Sequence, residues 1–345
     1  MWSPSFRCVV RADGERSWRV GHDQVDEFLE FAHGRARPST VRAYAHDLKV
    51  FFALVAKEPA GVTSRDVLDF VSAQQRPRVG AEKVVRISDG GAGLSAATIK
   101  RRLAAVSSFY GYLVTRGDVA ANPVPRGLPT RKSRHRGERG AVPLVRGVRR
   151  LPRILEPAEV EAVMAALRTE RDRAIVQAML LGGLRRCEVL GLRLEDLRLG
   201  EWRVFVVDGK GGHQRLVPVS QTFFATVARY LNNERPADAS TDRVFVALKG
   251  PTLGRALSSE GLDEMLTNAR ARAGLAHGTC HELRHTCFTR LREGGMAIEA
   301  LQAQAGHRSI ASTRIYLHLG ADWLADEYKR AAEAIEAQAA VGADR

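Results

Sequence analysis

The chain has 345 residues, 45% of them hydrophobic, and a formal net charge of +14 from 53 basic against 39 acidic side chains. That length suits two domains with separate cores, and the apolar share excludes a disordered or collagen-like chain. The charge points to a polyanionic partner such as nucleic acid, although a basic enzyme of another kind would carry it equally well.

No run approaches the roughly 18 uninterrupted apolar residues of a membrane helix, and the start from Met1 to Arg11 lacks a signal-peptide apolar region. A cytoplasmic protein without a membrane partner is expected. Cys8, Cys187, Cys280 and Cys287 form no CxxC pair, so neither a metal site nor a disulfide frame is expected.

Residues 1–20 read as an N-terminal extension with a strand near Phe6–Val10. From Asp23, the spacing of Val25, Phe28 and Leu29 predicts a first helix ending near Gly34. Ser39-Thr40 is expected to cap a second, with Val41, Tyr44, Leu48, Phe51, Phe52 and Val55 at helical spacing. Thr63-Ser64 starts a third, and after a Gly- and Pro-rich loop from about Gln75 to Gly93, Ser95 caps a fourth. Together these predict a small all-α bundle over residues 21–120. Lys100, Arg101 and Arg102 are expected to cluster on one side of the fourth helix, as a phosphate contact or a solvated face.

A basic linker follows over residues 121–152. From Arg126 to Arg153, ten basic side chains, Arg131, Lys132 and Arg134 among them, stand against the single acid Glu138. Such a segment cannot bury enough apolar surface to fold alone. A second domain is read over 153–335, with a tail at 336–345. It opens with helices at Pro157 to about Met164 and Arg171–Leu181. A β-hairpin comes next, from Trp202–Val207 and Leu216–Val219, with Val244-Phe245-Val246 as a third strand. Helices at Thr222–Leu231 and Ser259–Ala273 precede a helix opened by His281, and a last one spans Trp323–Ala339.

The chemistry concentrates near the end of the chain. In His281-Glu282-Leu283-Arg284-His285, helical spacing puts His281, Arg284 and His285 on one cationic face. Leu283, Cys287, Phe288 and Leu291 are expected on the opposite side. Gly306-His307 and Ile315-Tyr316 follow. An Arg, several His and a Tyr suit attack by a phenol on a phosphodiester held by cations. A phenol of ordinary pKa about 10 needs a proton acceptor or a positive field, and the phosphate oxygens are best stabilised by guanidinium forks. A second Arg is found at Arg185, just after the glycine pair Gly182-Gly183 and three residues before Glu188. Between the two clusters, Lys210 sits in the Gly-rich turn of the hairpin, where a flexible ammonium could reach a leaving oxygen. Taken singly, each residue fits a bland role: a helix-end ion pair, a solvated turn lysine, a helix cap, a core phenol.

In this order, Arg185 in G-L-R-x-x-E, Lys210 in G-K-G, H-x-L-R-H, G-H and I-Y, the second half of the chain resembles the tyrosine recombinase, or phage integrase, family. The resemblance implies a mainly α fold with a small antiparallel β-sheet: a two-domain DNA clamp of an N-terminal four-helix bundle and an α-rich catalytic domain. It implies that Tyr316 forms a 3′-phosphotyrosyl bond and releases a 5′-hydroxyl, with Arg185 and Arg284 clamping the phosphate. Lys210 would protonate the leaving oxygen, His281 would serve in proton transfer, His307 would hydrogen-bond the phosphate and Glu188 would orient the first Arg. The family often carries Thr where Gly183 stands, a departure expected to leave these roles intact.

The helical bundle then resembles the family's core-binding domain. Arg42, Lys100 and Arg101 are its candidate DNA contacts, and the linker's Arg131, Lys132 and Arg134 would run along phosphates, releasing counterions. The family's reaction uses no cofactor, neither metal nor ATP. The implied partners are double-stranded DNA with paired recombination sites and a homo-tetramer on that DNA, joined through the last helix or not; accessory proteins stay open. The implied role is integration, excision or transposition of a mobile element through a Holliday junction, in the cytoplasm at the nucleoid. Xer-like dimer resolution, a type IB topoisomerase-like or telomere-resolving enzyme, and a non-catalytic DNA-binding protein are the alternatives.

Overall fold

The computed structural model describes residues 2–11, 14–76, 93–125, 127, 144–145, 152–207, 214–307 and 312–313. The chain divides into two compact units, Met1–Arg149 and Arg150–Arg345, and is mainly helical with small antiparallel sheets.

In the first unit, β1 (Arg7–Val10) and β2 (Arg16–Arg19) form an antiparallel hairpin. Four helices follow: α1 (Asp23–His33), α2 (Pro38–Val55), α3 (Ser64–Gln75) and α4 (Ala96–Arg116). Their apolar stripes meet in one core containing Phe28, Leu48, Phe51, Phe52, Phe70, Phe109 and Tyr110, which also takes in Trp18 and Val20 from the hairpin. Phe51 and Phe52 pack edge to face with centroids 5.1 Å apart, and burial of each such ring contributes about 1.5–3 kcal/mol. Thr63 caps α3 in a reciprocal box with Asp66, and Ser95 caps α4, as their positions in the sequence predict.

Two expectations fail in this unit. Ser39 and Thr40 do not cap α2: the helix already starts at Pro38, whose fixed φ and missing N–H suit the first helical position. Nor do Lys100, Arg101 and Arg102 all gather on one side: Arg101 and Arg102 both turn to Asp47, with Arg102 Nε 3.8 Å from Oδ1, and Lys100 does not join them. Lys100 is exposed, Arg101 reaches Asp47 at 2.5 Å, and Arg102 is buried, donating to Gln74 Oε1 at 2.7 Å.

The second unit is built around α6 (Glu170–Leu180), buried at every position from Ala174 to Leu180. Against it pack α8 (Gln221–Asn233) and α10 (Cys280–Glu293), while α5 (Pro157–Ala166) packs on α9 (Ser259–Ala273). The short α7 (Arg186–Gly191) follows α6, and α11 (Ile298–Ala305) follows α10. The sheet has the order β3 (Leu197–Arg198), β4 (Arg203–Val206), β5 (Arg215–Pro218), all antiparallel.

The expected hairpin is therefore present, but its third strand is β3 rather than Val244-Phe245-Val246. Those three residues are buried, and side chains satisfy much of their backbone. Tyr230 Oη donates to Val244 O at 3.1 Å and accepts from Val246 N at 3.2 Å, and Arg171 donates to Val246 O at 2.9 Å. Backbone partners outside the β3–β5 sheet serve the rest, Val244 N donating to Leu192 O at 2.9 Å and Leu257 N to Phe245 O at 3.0 Å, so the run is satisfied without joining that sheet.

Candidate active site

The end of α6 sets the first candidate arginine. The chain breaks at Gly182-Gly183, and Gly183 takes φ +65, a left-handed turn that favours glycine. A Cβ there would lie 2.5 Å from the Phe288 ring, so the bare backbone also permits α6 to meet α10. Thr has no place at this position in this chain, so the departure from the family's usual residue goes with the ring of Phe288 that faces it. Leu184, fully buried, anchors the turn. Arg185 then caps α7, and Glu188 three residues on accepts its backbone N–H at 2.9 Å and its Nη1 at 2.8 Å.

Glu188 is the hub. Its side chain is buried, and besides Arg185 it accepts Arg215 Nη1 on Oε1 at 3.0 Å and Arg215 Nη2 on Oε2 at 2.9 Å. Arg284 Nη1 lies 3.9 Å from Oε2. Burial pushes the Glu188 carboxyl upward, but the hydrogen bonds and charges of Arg215 and then Arg185 outweigh it and hold the group below the usual carboxylate range.

Arg284 comes from α10, which starts at Cys280 under a capping box of Thr279 with Glu282. It is buried, donates to the carbonyls of Gly183 and of Ala305, the latter at 2.7 Å, and lies 4.7 Å over the Phe288 ring. Phe288, four residues on, thus shares the face of Arg284 instead of lying opposite, because α10 is packed on all sides. On the same helix His281 and His285 meet Nε2 to Nε2 at 2.8 Å, one donating and the other accepting. Burial first, then the charges of Arg284 and Arg185, lower the His281 pKa. Burial, His281, Arg284 and His307 push His285 down to about 4. Both imidazoles are therefore neutral at pH 7.

His307 follows α11 and pairs through Nδ1 with Thr313 Oγ1 at 3.0 Å. Gln304 fastens α11 to the rest by donating to Gly182 O at 3.1 Å and Pro218 O at 3.0 Å. The structure thus brings Arg185, Glu188, His281 and Arg284 into one neighbourhood, with His307 close enough to act on His285. Lys210, Tyr316, Arg131, Lys132, Arg134 and the helix read at Trp323–Ala339 lie outside the described residues.

Sequence reasoning missed Arg215, Gln304, His285's partnership and Thr313. For Arg215 a signal existed: strand alternation puts it on the same side as the buried Val217 and Val219, and an inward arginine calls for a buried acid. In the first unit, Arg42 and Arg101 line one cleft with His46, Ser39, Ala43, Phe6 and Trp18, while Lys100 is not part of it. Chemically, the second unit's site gathers guanidinium groups and neutral imidazoles around one buried carboxylate, an arrangement able to grip an oxyanion and accept or relay a proton. Among the described residues, no group of three or more His, Cys, Asp or Glu could hold a metal ion, and no helix is long and apolar enough to cross a membrane.

Comparison with known proteins identifies the family. Residues 153–322 match the phage integrase family, and residues 25–117 match the phage integrase N-terminal SAM-like domain. The tyrosine recombinase XerC of Pelobacter propionicus is 31% identical over 301 residues, spanning 85% of this chain and 89% of that protein. XerC of Xanthomonas axonopodis pv. citri is 32% identical over 321 residues, spanning 89% and 95%. The Tn1549 transposon integrase, solved in complex with transposon right end DNA, shares the fold with a TM-score of 0.64 at 17% identity, over 90% of this chain and all of that one. With both domains matched and near one-third identity along most of its length, the chain belongs to the phage integrase family and is a tyrosine recombinase.

Proposed function

We propose that this recombinase cuts and rejoins DNA at paired sites through a 3′-phosphotyrosyl bond to Tyr316. The observation that carries this reading is that Arg185 and Arg284, 99 positions apart in the chain (284 minus 185), lie side by side: Arg185 bonds Glu188, and Arg284, held by backbone carbonyls, has Nη1 3.9 Å from the same carboxylate. Two guanidinium groups held at one point are what the non-bridging oxygens of a phosphodiester require. In the reaction, the Tyr316 phenolic oxygen bonds to phosphorus as the P–O5′ bond breaks. The phenolic proton passes to His281, and Lys210 gives a proton to the departing 5′ oxygen. His307 donates to a phosphate oxygen. A 5′-hydroxyl from another strand then attacks the phosphotyrosine, the chemistry runs in reverse, and two such rounds exchange strands through a Holliday junction.

Four protomers acting on two duplexes, joined through the 323–339 segment, complete this scheme, with Arg42, Arg101, Lys100 and the linker's Arg131, Lys132 and Arg134 on the DNA backbone. The same reading places the protein at the nucleoid, acting in integration, excision or transposition of a mobile element. The domain boundaries that go with it are 21–120 for the core-binding part, 121–152 for the linker and 153–335 for the catalytic part. The test is covalent trapping on nicked duplexes drawn from a random-sequence pool: Tyr316→Phe should bind but form no adduct, and an undiminished adduct would discard Tyr316 as nucleophile.

A second reading, Xer-like dimer resolution, is favoured by the sequence relatives, which are tyrosine recombinases XerC and XerD. Deleting the gene separates the two. Accumulating chromosome or plasmid dimers support dimer resolution, and loss of excision of a neighbouring element supports the first role.

A further inference from the structure

Glu188 carries more hydrogen bonds than orienting Arg185 requires. A carboxylate offers about four acceptor positions. Arg185 fills two, through its backbone N–H and Nη1, and Arg215 fills two more with both Nη atoms. Arg284 Nη1, at 3.9 Å from Oε2, makes no hydrogen bond there and donates to the Gly183 carbonyl instead. Arg215 also reaches the far side of the site. Its Nε donates to Gln304 O at 3.1 Å, and its guanidinium lies against Gly306, where an added Cβ would come within 3.0 Å. Gly306, at φ +60, ends α11 immediately before His307.

We infer that Arg215 is a positioning residue for strand cleavage: by saturating the Glu188 carboxylate, it keeps Arg284 off that acid and fixes the end of α11. The inference rests on the proposed function. Its physical basis is competition. If two acceptor positions on a buried carboxylate are vacated, the nearest guanidinium is drawn to them, because a charge-assisted bond to Glu188 is stronger than one to a carbonyl. Arg284 is that guanidinium. It would swing toward Glu188 and away from the place where a phosphate is to be held, and α11 would lose the contact ahead of His307.

The test uses the full chain and a duplex that it selects from a random pool, prepared once with an ordinary scissile phosphate and once with a methylphosphonate there. The methylphosphonate has lost one charged oxygen, so misplaced guanidinium groups matter less to its cleavage. Arg215→Met should bind the ordinary duplex like the wild type and form the covalent adduct ~10–100-fold more slowly, the range found for residues that orient metal ligands. On the methylphosphonate duplex, the gap between wild type and variant should shrink to within about threefold, well below that range. Arg215→Lys, which keeps the charge but lacks the fork, should fall between them.

An equal slowing on both duplexes would mean general damage to the fold and would overturn the inference, as would no slowing on the ordinary duplex. Should circular dichroism show Arg215→Met unfolded, the same comparison with Arg215→Lys decides. A wild type that forms no adduct at Tyr316 would overturn the proposed function and this inference together. A normal wild-type adduct with an unimpaired Arg215→Met would overturn the inference alone.

Discussion

His281 and His285 stand one helical turn apart and meet edge to face, their ring centroids 4.2 Å apart and their planes at 83°. The contact requires a single proton between the two Nε2 atoms at 2.8 Å, so protonating both rings would break it. In this pair the acid-base candidate is wired to a buried neighbour that stays neutral.

The pair makes the second unit sensitive to acid. Both folded pKa values lie below the ordinary imidazole value of 6.5, with His285 at about 4. Between about pH 4 and 6.5 the unfolded chain therefore binds more protons, and stability rises with pH across that window and is flat above it. Urea unfolding at pH 4.5 and 7.5 should differ by up to about 3 kcal/mol, and His285→Gln should flatten the dependence. An unchanged slope in the variant would place the acid sensitivity elsewhere.

Glu188 holds two arginines by hydrogen bonds and faces a third. Glu188→Gln removes the acid that these arginines share among the described residues and leaves partly buried cations repelling one another, at a cost of about 3–5 kcal/mol. Denaturant titration reads this directly. The paired loss of adduct formation should exceed the loss of DNA binding, since binding rests mainly on backbone contacts spread over the surface.

Gly183 and Phe288 form a contact that tolerates no side chain. Gly183→Ala meets both a left-handed φ and a ring 2.5 Å from the new Cβ, and should destabilise by about 2–4 kcal/mol. Combining it with Phe288→Leu, which opens space, should cost less than the sum by at least about 0.5 kcal/mol. Simple additivity in a melting cycle would show that the ring yields freely.

In the first unit, Arg42 and Arg101 line one cleft, but Arg101 is held by Asp47 at 2.5 Å. Arg42→Ala should reduce the slope of log affinity against log salt by about 0.9, the effect of one lost phosphate contact on duplex DNA. Arg101→Ala should change it less, since its charge is partly neutralised inside the protein. Titration of binding by fluorescence anisotropy at several salt concentrations checks both.

Much of this is legible from local spacing alone. The three-residue step from Arg185 to Glu188 and the steps from His281 to Arg284 and His285 are helical periodicities, and the caps at Thr63 and Ser95 are set by neighbours in sequence. What stayed hidden depends on partners far along the chain. Arg102 is buried because Gln74, 28 residues earlier, receives it. Val244–Val246 stays out of the sheet because Tyr230, Arg171 and the backbone of Leu192 and Leu257 serve it. Phe288 faces Arg284 because α10 is packed all round, so its apolar and polar residues do not separate into two sides. Arg215 was half legible: alternation pointed it inward, but nothing local named Glu188 as its target.

The most direct test of the account is to denature the wild-type reaction on a nicked duplex, digest the protein and map the DNA-linked peptide by mass spectrometry. The account predicts a single adduct at Tyr316, reduced about 100-fold or more in Arg185→Ala and Arg284→Ala, as when an oxyanion donor is removed. An adduct on another residue, or one formed at full rate without either arginine, would contradict it.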